Sequence, residues 1–383
     1  MDTTQNPDLL ADLRSIPSTL MRGGTSRGPF FVASDLPADP GVRDRVLLAA
    51  MGSPDKRQID GLGGAHPLTS KIGIVSRSGS AGVDLDFLFA QLQPESDKVD
   101  LTPNCGNMLA AVLPFALERG LIGIRDGVTT ARIRTLNTGM QCNVTVQTPG
   151  GRLHYSGDAR IDGVPGTAAP VKINFLDTAG SVCPAMLPTG KVLDRIRFHT
   201  PDGALHEVAA TLIDNGMPMV LVRAVDFGIS GYESAAELNA DQSLRARLEA
   251  LRLAVGEPMG LGDIRARNYP KMCLVAAPRA GGAITTRCFI PHVCHDAIGV
   301  LAAVTVATAC VLAGTVADEL ANAGTGLQSS VSVEHPSGEF TVELELDASD
   351  PQKIVSAALL RTARPIMRGD VLIPADLWKE TTE

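Results

Sequence analysis

Two stretches decide how this chain folds: Asn104-Cys105-Gly106-Asn107 running on into MLAAVLPFALER (Met108–Arg119), and AIGVLAAVTVATACVLAG (Ala297–Gly314). Both read as helices that are apolar on nearly every side, and such a helix has to lie inside a core. In the first, Asn104 reads as the N-terminal cap, Gly120 as the stop, and Pro114 predicts a kink within Gly106–Arg119. The second, predicted over Asp296–Leu312, has no charged residue between Ala297 and Gly314, long enough on its own to span a bilayer. Its Ala, Thr and Gly content, and the absence of flanking basic residues, favour a buried core helix.

Working outward, each helix is embedded in short strands. Before and after the first come PFFVASDLP, KIGIVSRS, VDLDFLFAQL, ARIRTLNT and CNVTVQT, with a further helix at Pro40–Met51 capped by Asp39. A turn-rich stretch, GGRLHYSGDARIDGVPGTAAP (Gly150–Pro170), separates these from VKINFLD, EVAATLID, PMVLVRAV, KMCLVAAP and TTRCFI. A surface helical region covers Ser234–Ala254, SVSVEHPSGEFTVELELD reads as a hairpin, and IVSAALLRTARPIMRGDVLI is predicted to return to a sheet. The order strands, buried helix, strands thus occurs twice. We expect an α+β chain of two halves, residues 1–165 and 166–383, with segment 340–383 returning to the first.

The 383 residues carry a net charge of −8, with 44% hydrophobic and 20% charged residues, which excludes a disordered chain. An acidic chain with 4% aromatic residues is unsuited to nucleic acid or an anionic membrane, so the expected partner is a small molecule. The seven cysteines are scattered and odd in number, unlike a disulfide framework. The N-terminal MDTTQNPDLLADLRS has neither the basic nor the apolar region of a signal peptide, so a cytoplasmic location is expected. A homodimer is left open.

Several motifs carry chemistry. GLGGAHPLTSK (Gly61–Lys71) lacks the order of a phosphate loop and is not read as a nucleotide site. His292-Val-Cys-His295 with Cys288 offers metal ligands, but no second ligand pair follows, so no metal is expected. The two histidines are read instead as hydrogen-bond donors at the entrance to the second buried helix. Cys105 stands at the start of the first, where free backbone N–H groups favour a thiolate or a bound carboxylate; Gly106 permits close approach, and Asn104 and Asn107 both donate and accept. Lys71 opens the apolar strand KIGIVS; a lysine there either snorkels to water or, if desolvated, becomes a competent base. Arg22-Gly23-Gly24-Thr25-Ser26 offers a donor fork, exposed amides and two hydroxyls, which suit a carboxylate.

At these residues the chain becomes recognisable. MRGGTSRG (Met21–Gly28), GSPDKRQIDGLGGAHPLTSK (Gly52–Lys71), NCGN (Asn104–Asn107), GAITTRCFIPHVCH (Gly282–His295) and HPSG (His335–Gly338) resemble, in order, the family of methylaconitate cis-trans isomerase and 4-oxalomesaconate tautomerase. The resemblance implies the diaminopimelate-epimerase-like fold, two similar halves each wrapping a sheet around a central helix, with the active site in the cleft. It implies movement of a carbon–carbon double bond in an unsaturated polycarboxylate without cofactor or metal. It further implies Lys71 as principal acid/base and Cys105 as a second active-site group. The Arg22–Ser26 loop (with Gly23, Gly24 and Thr25), Ser70, Asn104, Gly106, Asn107 and Asn215 would bind substrate, and Arg279, Arg287, His292 and His295 would stabilise negative charge. The related epimerases carry a second thiol, but the matching segment here, Ile298-Gly299-Val300, has no cysteine. GGAITTRCFIPHVCHDAIGV is most similar to the tautomerases, so the expected substrate is 4-oxalomesaconate, from the breakdown of gallate and lignin-derived aromatics. Methylaconitate, aconitate or methylitaconate is the alternative. A non-catalytic polycarboxylate-binding protein and a two-thiol racemase are readings of other classes.

Overall fold

The computed structural model describes residues 12–378 apart from 177, 325, 351 and 352, so residues 1–11 of the N-terminal stretch read above lie outside the described residues. The chain divides into two compact units, residues 1–173 with 361–383, and residues 174–360.

The first unit opens with β1 (Leu13–Gly23) and β2 (Ser26–Val32), an antiparallel hairpin turned at Gly24, whose φ of +51° suits glycine. Helix α1 (Pro40–Met51) starts as its sequence predicts: the Asp39 carboxylate accepts from the Val42 N–H at 2.8 Å, and Pro40 takes the first position. Then come β3 (Lys71–Arg77), β4 (Leu85–Leu92), the short β5 (Val99–Asp100), helices α2 (Gly106–Leu109) and α3 (Val112–Glu118), β6 (Gly127–Thr135) and β7 (Gln141–Thr148).

The predicted Gly106–Arg119 helix is therefore two helices. The break falls at Ala110–Ala111, upstream of Pro114. Proline has no N–H for the Ala110 carbonyl four residues back, and its ring crowds that oxygen, so the ladder fails one turn earlier than the proline itself. The N-cap is Cys105, not Asn104, and no side chain caps it. Gly120 stops α3 as expected, in the left-handed region at φ +68°, with Leu121 N bonded to the Ala116 carbonyl at 2.9 Å.

From β8 (Val171–Phe175) the chain enters the second unit: β9 (Asp194–His199), β10 (Leu205–Asp214), β11 (Pro218–Arg223), α4 (Ala235–Ala240), α5 (Gln242–Ala254), β12 (Lys271–Ala276), β13 (Ile284–Phe289), α6 (Val300–Val311), β14 (Gln328–His335), β15 (Gly338–Leu346) and β16 (Ile354–Arg361). Finally β17 (Ala363–Pro374) returns to pair antiparallel with β1. The region Ser234–Ala254 is broken at Asp241, which ends α4 and whose carboxylate caps α5 through Leu244 N at 2.9 Å.

Helix α6 is buried from Ala302 to Cys310 and packs against β10, β11, β14 and β15. It begins at Val300 rather than Asp296, because the Asp296 carbonyl accepts from Ser337 N (2.9 Å) and Oγ (2.6 Å) instead of from the next helical turn. Twelve residues rise only about 18 Å, against about 30 Å of hydrocarbon. Among the described residues no helix is long and apolar enough to cross a membrane.

The internal repeat is visible in the pairing. In the first unit β1–β2 is antiparallel, β2–β3 parallel, β3–β4 antiparallel, β4–β6 parallel and β6–β7 antiparallel. In the second, β10–β11, β11–β12, β12–β13, β13–β14 and β14–β15 repeat that series in the same senses. A buried helical segment precedes the fifth strand of each series, β6 and β14. The α+β organisation expected from the resemblance, a sheet set around a central helix in each unit, is the one observed.

Adjacent residues of β2 show how one sheet serves two layers. Phe30 and Phe31 point to opposite faces. Phe30 packs on Phe115 of α3 at 5.5 Å, and Phe31 joins the cluster of Val46, Leu47 and Met51 from α1 with Ile72 of β3. Gly28 of β2 lies so close to β3 that a Cβ there would meet the Lys71 carbonyl oxygen at 1.6 Å. Replacing Gly28 with Ala must push the strands apart, and we expect a loss of about 1–3 kcal/mol. The check is urea unfolding; an unshifted midpoint would contradict this packing.

Candidate active site

Lys71, the first residue of β3, is 8% exposed. Its register partner on β4 is Gln91, and Lys71 Nζ donates to Gln91 Oε1. The Gln91 amide nitrogen is itself anchored, donating to the carbonyls of Leu92 (2.9 Å), Ser70 (3.1 Å) and Pro67 (3.1 Å). The ammonium also sits 5.1 Å from the centre of the Phe89 ring, a cation–π distance. The amine is thus held by an amide that cannot itself take a proton, and it is not lost to bulk water. Ser70 is fully buried; its hydroxyl hydrogen is shared between Gln58 Oε1 (2.8 Å) and the His66 carbonyl (2.9 Å). Gln58, at φ +47°, ties the 58–70 loop together by also accepting from Ala65 N at 2.9 Å.

Around the start of α2, which packs on β1, β2 and β3, five predicted residues converge. Asn107 Nδ2 donates to Thr25 Oγ1 at 3.0 Å, and its Oδ1 accepts from Arg361 Nε at 3.2 Å. Gly23 and Gly24 are obligatory here: a Cβ on Gly23 would lie 2.3 Å from the Asn107 carbonyl, and one on Gly24 would lie 2.2 Å from Asn107 Oδ1. Asn104 Nδ2 donates to Thr138 Oγ1 at 2.5 Å. Two buried polar atoms, Ser26 Oγ and Asn104 Oδ1, have no hydrogen-bond partner among the described residues. Buried polar atoms are nearly always paired, so these point to a polar ligand.

The electropositive group beside Cys105 is Arg361, at the end of β16. Burial pushes this guanidinium down to about 9, still cationic at neutral pH, and negative charge at Cys105 works against the shift. A four-residue helix has only a small dipole, so Arg361 rather than the helix end supplies positive charge to this thiol.

Arg22 Nη1 donates to the carbonyls of Gly24 (2.9 Å) and Thr362 (3.1 Å) and to Thr362 Oγ1 (3.1 Å). Its cross-strand partner on β17 is Arg364. Burial, and then the Arg364 charge, lower the Arg22 pKa. Both arginines line a cavity of about 620 Å³ with Thr362, Tyr155 and parts of the 156–168 loop, and among the described residues that line it there is no carboxylate. Like charges opposed on neighbouring strands repel, so a carboxylate placed here lowers the energy of both.

The remaining predicted residues belong to the second unit and have local partners there. Asn215 is buried; its Oδ1 accepts from Thr178 Oγ1 (2.6 Å) and its Nδ2 donates to Thr308 Oγ1 (2.8 Å), which fastens it to α6. Arg279 is exposed, its guanidinium 5.0 Å over the Tyr232 ring. Arg287 Nη1 donates to the Thr286 carbonyl (2.9 Å) and its Nε to the Glu233 carbonyl (2.5 Å); burial lowers its pKa. His292 is exposed, with Nδ1 3.3 Å from Glu249 Oε2 of α5. His295 is exposed too, and its backbone N–H donates to the Cys288 carbonyl at 3.0 Å.

Sequence reading missed Gln91, Arg361, Gln58 and the Asn137–Thr138 turn. Asn137 binds Phe89 N, Phe89 O and Leu101 O, which sets the approach to Asn104. Only Arg361 left a signal, as the one cation in the apolar run IVSAALLRTA (354–363).

The family described as PrpF protein matches residues 13–374. A (4E)-oxalomesaconate Delta-isomerase from Novosphingobium sp. (strain KA1) is 51% identical over 94% of this chain and 98% of its own length. A 4-oxalomesaconate tautomerase from Pseudomonas putida is 51% identical over 95% of this chain and 97% of its own. Among solved structures, a methylitaconate-delta-isomerase superposes with a TM-score of 0.83 at 34% identity, over 97% of this chain and 99% of that one.

Of the seven cysteines only Cys105 is half-exposed, the other six being buried. Iodoacetamide on the folded protein is expected to modify Cys105 at least about tenfold faster than any other cysteine. Peptide mapping of the first labelled site checks this, and first labelling at Cys294 or Cys183 would contradict it.

Proposed function

Because the chain belongs to the PrpF protein family, we propose that it moves a carbon–carbon double bond within 4-oxalomesaconate, by removing a proton and returning one at the far end of the allylic system. The observation that carries the substrate is the 51% identity, over nearly the whole chain, to two enzymes named for that compound. The chain is an isomerase.

Such a reaction needs a base, a second proton position and a cationic cradle. Lys71, in its neutral form, takes a proton from a carbon next to a carboxylate or keto group; Gln91 and the Phe89 ring orient Nζ for this. The electron pair left behind spreads through the double bond to give a dienolate. Its oxygens develop charge, and preorganised donors stabilise such charge by about 3–4 kcal/mol each. Arg361 and Arg22 are the cations of the first unit suited to that task, and Ser26 Oγ is a hydroxyl still able to donate. The proton returns at the other terminus, from the Lys71 ammonium or from the Cys105 thiol. A polycarboxylate arm fits the Arg22–Arg364 cavity, where two cations reward added negative charge.

A second reading is isomerisation of a dicarboxylate such as methylitaconate, favoured by the likeness to the methylitaconate-delta-isomerase structure. The chemistry is the same; the paired arginines favour the substrate with more carboxylates. Free thiols throughout fit a reducing, cytoplasmic setting.

Incubating the protein with unsaturated tri- and dicarboxylates in deuterated water, followed by NMR, tests both the migration and the labelled carbon. Lys71→Met is expected to slow isomerisation and exchange by about 10²–10⁴-fold. Exchange at the wild-type rate in that variant would remove Lys71 from the mechanism, and tight binding without any exchange would make the protein a polycarboxylate binder.

A further inference from the structure

Cys273 on β12 and Cys288 on β13 stand opposite each other. The strands are antiparallel and the two residues are direct register partners, so their side chains leave the same face of the sheet. The backbone fixes the kind of pair. The Cys288 carbonyl accepts from His295 N at 3.0 Å and Ile290 N donates to the Val293 carbonyl at 3.0 Å, which bridges Phe289 to Cys294 on the edge of β13 turned away from β12. The backbone groups of Cys288 therefore point to the 293–295 segment, and Cys273–Cys288 is a non-hydrogen-bonded pair. In such pairs the Cα atoms stand about 4.5 Å apart. A disulfide spans Cα separations of about 4.4–6.8 Å, so these strands can take one without being displaced.

The rest of the neighbourhood singles out this pair. Alternation puts Met272, Leu274 and Phe289 on the opposite face, in one cluster with Leu244, Leu248 and Leu251 of α5. Cys294, the bridge partner of Phe289, belongs to that cluster too, so it faces away from Cys288 although only six positions separate them. Both paired thiols are buried. Burial pushes the Cys142, Cys183 and Cys294 thiols up to about 12, which makes them poor nucleophiles. Cys288 differs: the Cys273 thiol donates to its sulfur and holds it below the ordinary thiol value, against burial and with help from the Lys271 ammonium. Cys273 is pushed up, by that hydrogen bond and then by burial. One sulfur of the pair is thus prepared to attack, and the other lies directly across the ladder from it.

We propose that Cys273 and Cys288 form a redox-modification site, a dithiol that closes to a disulfide on exposure to hydrogen peroxide and reopens with a thiol reductant. The Cys288 thiolate attacks one peroxide oxygen, the O–O bond breaks, and the sulfur is oxidised to a sulfenic acid. The hydroxide released takes the proton that Cys288 gave up and leaves as water. The Cys273 sulfur then displaces the sulfenic hydroxyl, which departs with the Cys273 proton as a second water, and the S–S bond forms. Two thiols and one peroxide give one disulfide and two waters. Hydrogen peroxide is little larger than water, and local opening of the strands admits it. The site lies wholly in the 174–360 unit and is independent of the substrate proposed above.

The test treats the folded full chain with hydrogen peroxide, alkylates the remaining thiols on denaturation and maps peptides without reduction. A Cys273–Cys288 cross-link is expected at least about tenfold more abundant than any other pair, because only that pair meets the geometry of a disulfide. Dithiothreitol is expected to restore both thiols. Absence of the cross-link, oxidation confined to Cys105, or a disulfide that joins either cysteine to Cys294 or Cys310 would overturn the proposal. The same treatment in urea is expected to give mixed pairs; the same single pair from the unfolded chain would credit closeness in sequence rather than strand register, and would overturn it too. Cys288→Ser is expected to abolish the cross-link and Cys183→Ser to leave it unchanged. The mapping needs only the wild-type chain, so a variant that fails to fold does not remove the test.

Discussion

The strand pairing of β2, β3 and β4 puts one amine where it has to be, and the remainder of the first unit follows from that. Gly28 lets the β2 backbone approach the Lys71 carbonyl to a distance no side chain would allow, which fixes where β3 starts. The antiparallel register with β4 then brings Gln91 opposite Lys71, and the carboxamide, held through three carbonyls, catches the ammonium. An amide suits the acid–base role proposed for this amine, because it orients Nζ without the charge of a carboxylate.

Glu334, Asp214 and Arg252, buried elsewhere, are closely paired, and the contrast supports the proposed site. Glu334 accepts from the N–H groups of Arg279, Ala280 and Gly282 and from Thr285, which pins the 279–282 turn. Asp214 does the same for Ser181, Val182 and Cys183, and Arg252 is bound by Glu249 and three carbonyls. These are structural devices, each closed on itself. Among the described residues Ser26 Oγ and Asn104 Oδ1 have no partner, and Arg22 and Arg364, register partners on β1 and β17, carry like charge beside a cavity. Unfinished electrostatics of this kind cost stability unless a ligand completes them.

The two units solve one packing problem with different helices. In the second, α6 is built from Ala, Val and Thr, and its threonines return their hydroxyls to the backbone or to Asn215, so twelve residues run without a break. In the first, Pro114 divides the buried segment, and the turn bearing Cys105 becomes a separate element seated on three strands. Dividing it frees the Cys105–Asn107 turn to be positioned by Thr25, Arg361 and Gly23 rather than by the rest of the helix.

Hydrophobic periodicity by itself determined that the chain has two buried helices amid strands, and glycine and asparagine spacing singled out Arg22–Ser26, Lys71 and Asn104–Asn107. Those features are local: an apolar helix without a polar face can only be a core, and a cap or a tight turn is written in four or five consecutive residues. Tertiary structure alone decided which cation meets Cys105, which amide holds Lys71, and where the first helix breaks. Arg361 and Asn107 are 254 positions apart, and Lys71 and Gln91 meet through strand register. Register and long-range pairing depend on how whole sheets close, and no window of sequence contains that information.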